Sequence, residues 1–213
     1  MPRPKKQTAN TSAIVNIIDT TEAANDEVDK QNYKKLSHIE HILVRPSTYI
    51  GSIDKTLEEM YVIDDDLPDD IRIVGQQIEY IPGLFKIFDE ILVNATDHET
   101  RLSQKKKLGD ATVMPVSQIK VEIDKESGRI TVYNDGDGIH IVQTDEGVYA
   151  PEMIFGHLLT GTNYNDEEER IVGGQNGYGA KLTNIFSKEF TIETVDKSRN
   201  LKYQQSFSDN MSQ

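Results

Sequence analysis

The sequence predicts an α+β protein: a two-layer α/β sandwich whose sheet is mixed but mostly antiparallel, with the helices on one face. Three observations predict it. Apolar residues recur at helical spacing between Pro82 and Leu102. Two segments of alternating polarity, QIKVEID and RITVYND, are joined by the turn-forming KESG. Further helix-length and strand-length segments then follow one another to the end of the chain.

Taken in order, residues 1–30 are polar, low in aromatics and without periodicity, which predicts a disordered tail, and the folded domain is assigned to 31–213. SHIEHILVRPSTYIGS predicts a short helix through Ile39, Ile42 and Leu43, halted by Pro46 and followed by a turn at Gly51. The acidic stretch 54–75 reads as a loop and an edge strand. The long helix from Pro82 to Leu102 carries Leu84, Phe88, Ile91 and Ala95 on one stripe, widened by Phe85 and Leu92. A polar loop containing QKKK and ending near Pro115 leads to the hairpin. PEMIFGHLL reads as a helix with Pro151 suited to its first turn. GYGAKLTNIFS gives another helix, and EFTIETVD and LKYQQSF give two strands.

Bulk composition narrows the function classes. The 213 residues are 36% hydrophobic and 28% charged, with a formal net charge of −13 and no cysteine. No apolar run approaches the roughly 18 residues that a membrane span needs, and MPRPKKQTAN lacks the apolar core of a signal peptide. Disulfides and thiolate metal sites are excluded. So acidic a surface repels a nucleic-acid backbone, whose binding relies on Lys and Arg displacing counterions. Arg3, Lys5 and Lys6 form a small basic end that reads either as part of a nuclear-import signal or as an ordinary short basic run.

Three elements can carry chemistry. On the long helix, Glu90, Asn94, Asp97 and Arg101 are spaced by four, three and four residues. At about 100° per residue they form a narrow polar stripe opposite the apolar one. Such a stripe is either solvent-facing or a half-buried functional one, and Asn94, a poor helix former amid ILVNA, favours the second. NDGDG at 134–138 follows a strand and is a turn sequence in its own right. GGQNGYGAK at 173–181 has four glycines within seven positions just before a helix, a pattern suited to wrapping a phosphate. It is not a Walker A loop: Ala180 intervenes before Lys181, and Leu182 stands where a Mg²⁺-binding hydroxyl is needed.

Together an E-x-x-x-N helix, an N-D-G-x-G turn and a glycine-rich lid resemble the GHKL (Bergerat) nucleotide-binding fold of gyrase, heat-shock chaperones, histidine kinases and mismatch-repair ATPases. RPSTYIGS, LFKIFDEILVNATD, PEMIFGHLLTGTNYND and GGQNGYGAKLTNIFS are similar to the ATPase domain of eukaryotic-type DNA topoisomerase II, including viral relatives, over about residues 33–211.

The resemblance implies a catalytic role for Glu90, as general base towards the attacking water. Asn94 would give an oxygen to Mg²⁺ carried by the substrate ATP, and Asn134 would read the adenine. Gly161, Thr162 and Asn163 would line the ribose and phosphates. Gly174, Gln175, Asn176, Gly177, Tyr178, Gly179, Ala180 and Lys181 would wrap the triphosphate, and Tyr33 would reach the nucleotide of a second subunit.

It further implies an ATP-closed homodimer of a type IIA enzyme that meets DNA through domains absent from this chain, in the nucleus or, for a viral protein, in the host cell or virion. The domain is expected to be incomplete at its C-terminal side. Gly161 stands in place of a usual serine and Gln175 in place of a frequent arginine, which points to altered affinity. The alternatives are a nucleotide-gated chaperone and a non-catalytic dimerisation module of the same superfamily.

Overall fold

The structure, a computed structural model, describes residues 35–64, 72–160 and 177–212. The expected tail over 1–30 lies outside them.

Helix α1, His38–Val44, begins at a capping box in which the Ser37 hydroxyl accepts from the Glu40 N–H and the Glu40 carboxylate accepts from the Ser37 N–H. Both satisfy donors that a helix start leaves open. Pro46 separates it from α2, Ser47–Ile50, and the chain turns at Gly51 (φ +85°). Ile42 and Ile50 are carried into the core by these two turns of helix.

The stretch 54–75 carries the expected edge strand but holds more strand than expected. It holds β1, Thr56–Asp64, and the first four residues of β2, Arg72–Tyr80, an antiparallel pair nine residues long on each side. Glu58, Glu59 and Asp64, among the acidic residues that suggested a loop, lie on the ladder, where strand side chains are free to face water. One face, with Leu57, Glu59, Tyr61, Ile63, Ile73, Gln77 and Glu79, is exposed along its whole length.

The long helix α3 runs Pro82–Lys107, a full turn beyond the expected end, so Lys105, Lys106 and Lys107 form its last turn and not a loop. Cations there interact favourably with the carbonyl end of the helix. Its buried residues are Gly83, Ala95 and Leu102, with Ile87 against the core, while Leu84 and Phe85 are more than half exposed. The apolar face is thus turned from the expected stripe, and the polar stripe flanks it instead of lying opposite.

Strands β3, Ile119–Asp124, and β4, Arg129–Asn134, form the predicted hairpin. Its turn is closed by the Asp124 carboxylate, which accepts from Glu126 and Ser127. Helix α4, Ala150–Gly156, stops short of the expected HLL. It is followed by α5, Gly179–Ile185, and by the antiparallel pair β5, Glu189–Asp196, and β6, Leu201–Ser208. Burial alternates along β5: Ile192 and Asp196 point inward, Thr191, Glu193 and Val195 outward.

Every strand pairing among the described residues is antiparallel, in three two-stranded units. Leu182 and Ile185 of α5 pack with Ile192 and Phe207 of the last pair and with Ile42 and Ile50 to make the core. Helices therefore cover the inward face of β5–β6, as a two-layer α+β arrangement requires.

Candidate functional site

The site is built where α3 meets α5. The Thr183 hydroxyl donates to the Ile87 carbonyl across the two helices at 2.7 Å. One turn along each, Gly179 lies against Glu90 so closely that a β-carbon at 179 would overlap the Glu90 carboxylate. A side chain at 179 would have to displace the Glu90 carboxylate from this seat. The first residue of α5, at the end of the glycine-rich segment, thereby meets the acid on the long helix.

The other Glu90 oxygen accepts from the Lys86 ammonium at 2.6 Å, an i,i+4 pair with Glu90 23% and Lys86 46% exposed. Hydrogen bonding to Glu90 raises the Lys86 pKa, ahead of the opposing effect of burial. In so open a setting the pair is worth only about 0.3–0.5 kcal/mol, so its effect is to aim the carboxylate more than to stabilise the fold. Asn94 lies one turn further on and is exposed.

Lys181 is where the structure departs most from a loop that simply wraps a ligand. It is 2% exposed, and its ammonium donates to the Thr160 carbonyl and, at 3.0 Å, to the Thr160 hydroxyl. The single proton of that hydroxyl is shared between the Met153 carbonyl within α4 and the His157 carbonyl just after it, at 2.8 Å each. Burial pushes the Lys181 pKa down to about 8, so the side chain remains mostly charged at neutral pH. Ala180 is buried, Tyr178 half-buried and Gly177 exposed.

The 134–138 turn forms the other end. Asn134 is half-buried on β4, paired with Ile119. The Asp135 carboxylate accepts from the Ser117 hydroxyl and from the Ser117 and Gln118 N–H groups at 2.5–2.9 Å, which hold its pKa down to about 2. Asp137 exchanges two bonds with the Met114 backbone, and its carbonyl accepts from His98 Nε2 at 2.5 Å. A β-carbon on Gly136 would strike Val116 and Leu102, and one on Gly138 the Val195 carbonyl and the Thr194 hydroxyl. The two glycines are therefore demanded by close approach.

Of the residues singled out from sequence, the structure brings Glu90 and Gly179 into contact and sets Asn94 and Asn134 on elements that adjoin one another. Tyr33, Gly161, Thr162, Asn163, Gly174, Gln175 and Asn176 lie outside the described residues. Sequence reasoning missed Lys86, Thr160 and His98. The i,i+4 spacing from Glu90 could have flagged Lys86; nothing local flags the other two. Two shallow depressions, of about 260 and 350 Å³, lie over Lys120 and Tyr133 and between Tyr49, Tyr80, Phe85 and Lys86. Neither is lined by Glu90 or Asn94.

No protein-family model matches the chain. Curated sequences and solved structures do. DNA topoisomerase 2 of Plasmodium falciparum is 48% identical over 190 residues, 89% of this chain and 13% of the relative. The ATPase and transducer domains of DNA topoisomerase II from Balamuthia mandrillaris superpose with a TM-score of 0.75 at 49% identity, over 91% of this chain and 44% of that one.

The chain belongs to the ATPase-domain family of eukaryotic-type DNA topoisomerase II.

The ATPase region of Saccharomyces cerevisiae topoisomerase II matches it equally well in shape, with a TM-score of 0.75 at 46% identity over 86% of this chain and 45% of that one. The helix-and-antiparallel-strand architecture is thus that of the topoisomerase II ATPase domain. The chain spans about an eighth of the length of the curated topoisomerases it matches.

Proposed function

We propose that this chain binds and hydrolyses Mg·ATP as the ATPase part of a type IIA DNA topoisomerase, and that nucleotide binding closes a homodimeric gate for passage of one DNA duplex through another. The observation that carries the reading is the seat of the Glu90 carboxylate against Gly179. An acid held there faces the end of a glycine-rich segment suited to phosphates, where it can take a proton from water attacking the γ-phosphate. Lys86 holds that carboxylate in place from the same helix. The net charge of −13 agrees with DNA contacts made by other domains.

Among the described residues no cluster of three or more acidic, histidine or cysteine side chains could hold a metal. The exposed Asn94 amide fits an ion that arrives on the triphosphate and needs one protein oxygen, as Mg²⁺ commonly does. When bound, the ion would neutralise charge developing on the phosphates. Tyr33 is assigned to the partner's nucleotide, and residues 161–163 and 174–181 to the ribose and phosphates. Relatives that are eukaryotic and viral enzymes favour the nucleus, or the host cell or virion, as the site of action. Identity of 48% to a topoisomerase leaves the chaperone and pure dimerisation alternatives without a favouring observation.

The test is Glu90→Ala in a protein extended through the downstream domains. Mg·ATP affinity should stay within about threefold of the parent, while hydrolysis falls by about 10²-fold or more, the scale of a lost general base. Undiminished turnover would remove Glu90 from the mechanism.

A further inference from the structure

The 134–138 turn is held from three sides. Asp135 ties it to the chain before β3, Gly138 abuts β5, and His98 reaches it from α3. The last tie differs in kind because α3 also carries Glu90 and Asn94. Counting at about 1.5 Å per residue, His98 stands about 6 Å along the axis from Asn94 and about 12 Å from Glu90. A single rigid helix thus bears the residues assigned to hydrolysis and metal at one end, and the anchor of the base-side turn further along.

The geometry also fixes the chemistry of the anchor. A carbonyl oxygen can only accept, so Nε2 of His98 must carry the proton. Burial lowers the His98 pKa, opposed by its bond to Asp137 and reinforced by Arg101 and Lys105; the ring is therefore a neutral donor at physiological pH.

We propose that His98 is a positioning residue for nucleobase selectivity: its bond to the Asp137 carbonyl fixes the turn that begins at Asn134 relative to α3, and so sets where the base sits when the γ-phosphate end faces the water held at Glu90 and its Mg²⁺ meets Asn94. This rests on the Mg·ATP reading of the site. His98 acts without touching the nucleotide, and the loss of its bond loosens the base end while leaving the phosphate end in place.

The experiment is calorimetric titration of the chain with Mg·ATP and, separately, Mg·GTP, for the parent, His98→Leu and His98→Gln, with a melting curve for each. His98→Leu keeps bulk but removes the donor; ATP affinity should drop about tenfold, the scale of one lost hydrogen bond to a buried group, while GTP changes by less than about twofold, so selectivity falls. His98→Gln restores an N–H donor and should return the ATP-to-GTP ratio to within about twofold of the parent. Equal losses for the two nucleotides, or a leucine variant with parental selectivity, would overturn the proposal. If His98→Leu does not fold, His98→Met, which also lacks the donor, is titrated in its place under the same criteria: lost selectivity supports the role and parental selectivity refutes it. A parent that binds neither nucleotide would instead sink the functional reading beneath it.

Discussion

The 134–138 turn and the β1–β2 pair are opposite ways of using sequence. The turn is five small or polar residues, yet each of Asp135, Gly136, Asp137 and Gly138 meets a specific partner within contact distance. The strand pair is eighteen residues rich in large apolar groups, yet Tyr61 is 82% and Ile73 73% exposed. Size and hydrophobicity therefore do not measure how tightly a position is constrained; the number of neighbours that cannot move does.

The comparison is tested hardest at Gly138. A valine there would push its side chain into the Val195 carbonyl and the Thr194 hydroxyl, and the same Thr194 hydroxyl accepts from the Ile139 N–H at 2.9 Å. Backbone on both sides cannot give way as a flexible side chain would, so Gly138→Val should destabilise the fold by about 3 kcal/mol or more, beyond ordinary overpacking. Urea unfolding measures it, and a loss below about 1 kcal/mol would show the turn to be far more pliant than its contacts imply.

A smaller effect is expected at Asp135, where it can be read through pH. The Ser117 hydroxyl, then the Gln118 and Ser117 N–H groups, hold this carboxyl near 2 against an ordinary value of 3.8. A carboxyl whose pKa is depressed on folding contributes stability that is fully present above its unfolded value and is lost as pH falls towards the folded one. Asp135→Asn should therefore melt several degrees below the parent at pH 7, with the gap closing between about pH 4 and pH 2. Asp110, Asp124 and Asp196 are depressed as well, but they are common to both proteins and cancel in the difference. A gap independent of pH would mean that the charge of Asp135 does not hold the turn.

The same contrast explains what could be read from sequence. The start of α3 at Pro82, the β3–β4 hairpin with its KESG turn and the strands β5 and β6 were legible because local rules decide them: fixed proline φ, turn chemistry and strand-length segments of strand-forming residues. The end of α3 was misread because three lysines look like loop yet are good helix formers that suit a carbonyl terminus. β1 and β2 were obscured because Glu58, Glu59 and Glu79 mask the alternation with charge. Glu90 and Asn94 stood out by spacing and by resemblance, but Gly179 against Glu90, Lys181 on Thr160 and His98 on Asp137 are meetings of distant segments. No local pattern contains them, so only the fold discloses them.

The weakest expected effect completes the comparison. Tyr61 stands opposite Gly75 on the open face of the β1–β2 ladder, so its ring has no large cross-strand partner to pack against and loses little water contact on folding. Tyr61→Ser should change stability by no more than about 0.5 kcal/mol, as for most surface substitutions, even though it removes far more apolar area than Gly138→Val adds. If instead it cost about 2 kcal/mol, the face would have to be covered in solution, and the exposed row of Leu57, Tyr61, Ile63 and Ile73 would be an interface and not a free surface. Repeating the measurement at two protein concentrations would then tell a second copy, whose contribution rises with concentration, from a contact within one chain.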